Sequence, residues 1–379
     1  MNAPARFRSF HGFSLVELLV AMTVGIVILG GVLTVMANSK KNYSIQDSLA
    51  RLQENARFSM HFLNQDIRMA GYYGCSDDLH EVHNQLNRSD DDGESDDFFA
   101  LFTENPIEGL EGEADPDAEQ WYPSGSVNIP ANRVSGTDAF VVRYADPNGI
   151  SLVQPMPQPA ANLFSEKSDL LAIGDIVLLT DCESADVFQI TNLNTSGQNK
   201  DEVVHNTGGN QWPGNDPDFT DNNSNSLKLS KAYDTDSEIM KFNVMVYYIG
   251  TDDEGRRALY RQTLKTVTSN ATPTNEELVD GIENMQVLYG EDTQRNDRVP
   301  DVYRPADEVA SWKNVVAVRV VLLAYSQSSA TGTGEYYAGS DDETYNMAFS
   351  DSASDEVAGE TGDRIRRRFL TTTMLRNIK

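Results

Sequence analysis

An α+β fold is what the sequence predicts: one long N-terminal α-helix packed on an antiparallel β-sheet domain. Three observations carry this expectation. Residues 13–37 form an apolar run whose single charge is Glu17. Apolar residues at helical spacing continue the pattern to about Met69. Beyond it, runs rich in Val, Ile, Tyr and Phe alternate with polar, turn-forming stretches, as half-buried strands do.

The first element is the apolar run itself. Phe13–Ala37 reads FSLVELLVAMTVGIVILGGVLTVMA. At 1.5 Å per residue it spans about 37 Å, enough to cross a bilayer core with some tilt. Arg6 and Arg8 precede it, and Lys40 and Lys41 follow it. Positive charge on both sides leaves the orientation open by the positive-inside rule alone. The leader, residues 1–12, is too short to fold, so the large remainder is expected to be the exported part. Two processing schemes compete. Val35-Met36-Ala37 offers small residues for a signal-peptidase cut, which would release a soluble protein starting at Asn38. Against that cut stands Glu17, because a carboxylate in lipid is costly unless a specific partner neutralises it.

The second element, residues 38–72, continues the helix with an amphipathic pattern. Leu49, Leu52, Ala56, Leu63, Ile67 and Ala70 fall on one face, while Arg51, Glu54, Arg57 and Gln65 lie largely elsewhere. The helix is expected to end near Gly71 as a C-cap, with its stripe packed on the globular part. Gly30-Gly31 marks a point of low helix propensity, suited either to bending or to close helix packing.

The third element is the body, residues 73–379. Strands are expected at Ala139–Tyr144, Asp175–Thr180, Val187–Thr191, Lys241–Ile249, Ala258–Leu264, Met285–Tyr289, Val315–Tyr325 and Arg366–Met374. Tyr73–Arg133, Gly197–Ser226 and Ser326–Gly362 read as loops. Ser89–Asp97, SDDDGESDD, reads as a solvated charge run. The chain's net charge is -28, with the acids concentrated in the body. Such a body repels phosphates, which excludes nucleic-acid binding by it. The two cysteines, Cys75 and Cys182, are too few for a zinc site. In an exported domain their natural use is one disulfide, closing a loop of roughly 100 residues worth about 4–5 kcal/mol in the chain-entropy model. Two unpaired thiols are the alternative.

Enzymatic constellations are absent: there is no GxSxG, HExxH or Walker A pattern. His80 and His83, near Asp77 and Asp78, would share a face only if helical, and an exposed loop pair is the simpler reading. An EF-type calcium loop around Gly93 fails, because its first position is Arg88 and its twelfth Phe99. Asp234, Asp236 and Glu238 have the spacing without the glycine. No catalytic residue and no metal ligand is therefore assigned, and no cofactor is expected. Calcium held by scattered loop oxygens is the one cofactor left open. The tail from Arg364 to Lys379 is basic; it is read as a terminal strand whose arginines pair with nearby acids, rather than as a docking site.

Gly12-Phe13-Ser14-Leu15-Val16-Glu17-Leu18-Leu19 resembles the type IV prepilin signal. That resemblance implies a cut between Gly12 and Phe13 by a membrane peptidase, methylation of the Phe13 amine, and retention of the helix. It also implies that Glu17 neutralises the amine of a neighbouring subunit and so sets register. The stretch Gly281–Gly290, then Asp301, Trp312, Val315–Tyr325, Arg366–Phe369 and Thr371–Asn377, resembles the PilW group of minor pilins. The resemblance implies a low-abundance structural subunit in a tip-priming complex. Its partners would be other minor pilins, the major pilin, the prepilin peptidase, inner-membrane lipid before assembly and a tip adhesin. It would sit in the inner membrane with a periplasmic domain, then in the pilus. The J-type minor pseudopilin of type II secretion is similar in plan and is the nearer alternative. A released calcium-binding adhesion module is the more distant one.

Overall fold

The structure is a computed structural model. It describes residues 14–74, 82–87, 102, 105–112, 130, 132–157, 161–197, 199–209, 211–216, 229–294, 297–326, 344–346, 356–358 and 364–378. Gly12, Phe13, Cys75 and the Ser89–Asp97 acid run lie outside them.

The apolar run and the amphipathic stretch form one uninterrupted helix, α1 (Leu15–Met69). No proline interrupts it, and Gly30-Gly31 is helical like its neighbours. The helix stops where Ala70 swings to an extended ψ of 132. Gly71 follows in the left-handed region at φ 77, where a side chain would be strained. The C-cap is therefore Ala70, one residue before the glycine expected to serve.

Eighteen strands follow among the described residues. β1 (Val82–Asn84), β2 (Ile107–Leu110), β3 (Ala139–Ala145), β4 (Ile150–Ser151), β5 (Asn162–Glu166), β6 (Ile176–Thr180), β7 (Ala185–Gln189), β8 (Asn192–Asn194) and β9 (Lys200–Val204) make up the first half. The second half holds β10 (Glu238–Thr251), β11 (Arg257–Val267), β12 (Asn270–Asp280), β13 (Ile282–Glu291), β14 (Val302–Arg304), β15 (Val315–Tyr325), β16 (Thr344–Asn346), β17 (Glu356–Ala358) and β18 (Arg366–Met374).

The largest sheet has nine strands. β10 is its spine, pairing β3, β4, β6 and β11, and β12 closes one side. A second sheet runs β14-β13-β15-β18, all antiparallel. Among the described residues one pair is parallel, β1 with β7. A single residue, Gly281 at φ 72, carries the chain from the edge of the large sheet into the four-stranded one. Alternate residues of β15, from Val316 to Ala324, face Phe140, Val142, Tyr247 and Ile249 of the large sheet. Leu52, Ala56, Leu63, Ile67 and Ala70 of α1 join the same core. Two further cores lie on the other side of the large sheet and beneath β5-β9-β8.

Three loop expectations are corrected. β9 lies inside the Gly197–Ser226 stretch: its Val203 is buried, and it pairs with β5 and β8. β1 and β2 lie inside Tyr73–Arg133, and β16 pairs β17 inside Ser326–Gly362. Among the expected strands, Val187–Thr191 sits two residues earlier, at Ala185–Gln189. His83 lies in β1, an extended segment, so the helical spacing it would need to share a face with His80 is not present there.

Candidate functional site

The chain's most distinctive surface is the first half of α1. From Leu15 to Met36 its large apolar side chains are half to three-quarters exposed, and the first residue the body buries is Ser48. About 33 residues of helix, roughly 50 Å, therefore project from the body. The helix bonds its own backbone groups, and the hydroxyls of Thr23 and Thr34 donate to the carbonyls of Val20 and Gly30. A rod so satisfied can enter lipid without orphaned donors. Glu17 lies in its first turn, exposed. A carboxylate there complements the helix N-terminus.

The second half of α1 is seated on the body. Its stripe of Leu52, Ala56, Leu63, Ile67 and Ala70 is fully buried. Polar side chains fasten both flanks. The amide of Asn55 donates to the Asp280 carbonyl at 3.1 Å and to its carboxylate at 2.5 Å. Thr371 and Thr373 of β18 donate to the side-chain carbonyl of Asn64. The buried Asp66 carboxylate accepts from the hydroxyls of Tyr144, at 3.1 Å, and of Tyr247, with Arg261 4.0 Å away. Burial and the Asp66 charge hold both phenols well above the ordinary tyrosine range, so they stay protonated donors. Asn377 donates to the carbonyls of Arg68, Met69 and Ala70, the groups a helix leaves unpaired at its end. Gly71 donates to Arg143 at 2.9 Å. Arg143 is itself buried and paired with Glu108 at 2.5 Å.

The basic tail behaves as an intramolecular strand. Arg366 of β18 pairs with Glu283 of β13 at 2.5 Å, both side chains almost wholly buried. Trp312 packs edge-on against Tyr289, and Asp301 accepts from the backbone of Thr293 and Gln294 to close the turn after β13. Asp234 accepts from Thr235, a local turn contact. Among the described residues there is no group of three or more His, Cys, Asp or Glu placed to hold a metal ion.

The N-terminal and C-terminal portions of the chain each match a family model. The prokaryotic N-terminal methylation motif matches residues 7–33. Type IV pilus-assembly protein W, PilW, matches residues 246–377. Both matches are those of a PilW-family, prepilin-like protein. Searches of curated proteins and of solved structures find no match. The PilW match begins in β10 and ends at the helix cap. It takes in Tyr247, Arg261, Asp280, Thr371, Thr373 and Asn377, every body residue named above as fastening α1 except Arg143 and Tyr144. The two matches thus cover the outer part of the rod and most of the seat. Together they support a type IV pilus-related, pilin-like protein, and they point to an inner-membrane anchor in the helix and to a structural rather than an enzymatic role.

The stripe, the cap region and the tail's internal pairing are legible in the sequence; the roles of Asp66, Asn55 and Asn64 are not. The available signal was an acid and two amides on the margins of an apolar helical stripe.

Proposed function

We propose that this PilW-family protein is a minor pilin, a low-abundance subunit that helps prime pilus assembly at the tip. The observation that carries this reading is the long, exposed, apolar rod with one early carboxylate, fastened at its far end to a large body. In this reading the peptidase cuts between Gly12 and Phe13, and the Phe13 amine is methylated. The helix waits in the inner membrane with the body in the periplasm, then moves into a helical bundle. Glu17 meets the amine of a neighbouring subunit and sets register, because an unpaired carboxylate in an apolar bundle is costly. Partners are other minor pilins and the major pilin.

A body of about 300 residues has a diameter of roughly 40–50 Å, against 10–12 Å for a helix. Crowding at high copy number favours a terminal over a repeating position. A Cys75–Cys182 disulfide belongs to the same reading. Its support is that no described cysteine is free and that Cys182 has one possible partner in the chain. No cofactor enters the mechanism.

The test is mass spectrometry of the mature N-terminus together with co-purification of the detergent-solubilised chain with candidate minor pilins. A methylated Phe13 start and a stable minor-pilin complex are expected. An Asn38 start, or no association with any minor pilin, overturns the proposal.

A further inference from the structure

We infer that Asp66 is a positioning residue that fixes the roll of α1 on the body, against the roll its apolar residues alone would select. The face of the seated helix that is apolar and the face that is buried do not coincide. At about 100° per residue, Ile45, Leu49, Leu52, Ala56, Met60, Leu63, Ile67 and Ala70 share one broad face. Were burial decided by those side chains alone, the buried arc would be centred on Ala56 and Leu63 and fall off equally on both sides. Those two are buried, but the arc is lopsided: Leu49 and Met60, toward one margin, are only half-buried, whereas Ser48, Ser59 and Asp66, on the opposite margin, are buried. The buried face is turned from the apolar face by roughly 30°. The turn is toward Asp66.

Asp66 is the charged member of that buried margin, and it reaches the most partners. Its two carboxylate oxygens take the hydroxyls of Tyr144 and Tyr247, which rise from the neighbouring strands β3 and β10, while Arg261 of β11 stands at 4.0 Å. Three adjacent strands thus converge on one side chain. Asn55, on the same margin and three turns earlier, holds Asp280. Rolling α1 to bury Leu49 and Met60 would lift Asp66 away from both phenols and Asn55 away from Asp280. A buried carboxylate does not tolerate that loss, whereas a half-buried Leu or Met tolerates its own position. Ser59 follows passively, its hydroxyl satisfied by Asn55 within the helix.

Because α1 is continuous from Leu15, its roll at the seat is carried toward Glu17. That link rests on the minor-pilin reading; the roll itself does not.

The test measures the roll directly in the full chain. Spin labels are placed at Gln65 on the exposed face of α1 and at Glu254 in the exposed turn after β10. Double electron–electron resonance then compares the labelled parent with a variant carrying Asp66→Leu, Tyr144→Phe and Tyr247→Phe, which removes the key and its donors together. A roll of roughly 30° moves the side-chain envelope by about 3 Å. The expected result is a single distance displaced by about that much. Adding Leu49→Ser and Met60→Ser, which removes the competing apolar margin, should return it toward the parent value. A folded triple variant whose distance stays within about 1 Å of the parent overturns the proposal, since general loosening would broaden the distance without a restorable shift. Should the triple variant not fold, Asp66→Asn with Tyr247→Phe is the milder form. It is expected to shift the distance in the same direction by less, and no shift overturns the proposal. A displaced distance with normal surface piliation overturns only the link to Glu17.

Discussion

Replacing Glu283 with Ala removes the counter-charge of Arg366. The pair is short, 2.5 Å, and both side chains are at most 4% exposed. Water therefore screens the interaction little, and the guanidinium left behind has lost its close carboxylate in a low-dielectric site. Breaking such a pair from one side costs about 3–5 kcal/mol. Replacing both partners with Met removes the charges together and is expected to leave stability within about 1 kcal/mol of the parent, or to raise it. An exposed pair in the same protein provides the control. Arg256 contacts Asp252 at 2.6 Å and Glu254 at 2.8 Å, but its side chain is 56% exposed. Arg256→Ala should therefore cost far less than Glu283→Ala. The assay is guanidinium unfolding of the full chain in detergent, followed by tryptophan fluorescence. A loss below about 1 kcal/mol in Glu283→Ala, or an equal loss in Arg256→Ala, would refute the reasoning that burial makes this pair costly to break.

Further outcomes follow from the same physics. Gly281→Ala puts a side chain at φ 72 with its Cβ 3.0 Å from the Tyr325 carbonyl, and should cost about 1–3 kcal/mol in the same unfolding assay; an unchanged midpoint would show that the turn is not strained. Burial pushes the His205 imidazole down to about 4, so between about 6.5 and 4 the unfolded chain binds a proton the folded chain refuses. Stability from this group is full above about pH 6.5, and about 3 kcal/mol is lost as pH falls toward 4. His205→Leu should flatten the pH dependence over that window, and an identical slope in both proteins would count against it. Glu17→Ala should leave membrane insertion intact and impair piliation; normal piliation at normal expression would contradict the register role. Cys182→Ser should lower stability by about 2–5 kcal/mol under oxidising conditions and by nothing under reducing ones, and equal losses in both would exclude the disulfide.

Much of the fold was legible because its signals are local. Val315–Tyr325 and Arg366–Met374 are strands at the expected bounds, since long β-branched and aromatic runs leave little choice. The helix was legible to its last turn, because apolar spacing and Gly71 agree on where it ends. β12 was not legible. Its residues, Asn270 to Asp280, are polar and include Pro273, and it is held by pairing with β11 along its length. The hairpin between them turns on Thr268 and Ser269, both at positive φ, where an Asn-Gly or Asp-Gly pair would have announced it. β9 was hidden similarly, in a stretch whose composition is that of a loop. The rod was legible as a long apolar helix and residues 7–33 as a prepilin methylation motif. The seat was legible only as an apolar stripe. Its polar fastenings join residues hundreds of positions apart, as Asn64 to Thr373 does, and no local pattern encodes such a pairing.

The same separation orders events in time. The helix is made first, but β18 and Asn377, which fasten one flank and cap its end, are made last. At synthesis rates of about 5–20 residues per second, some 300 residues take about 15–60 s. Through that interval the seated half of α1 has only part of its cradle. Its apolar face is then open to whatever guards nascent chains.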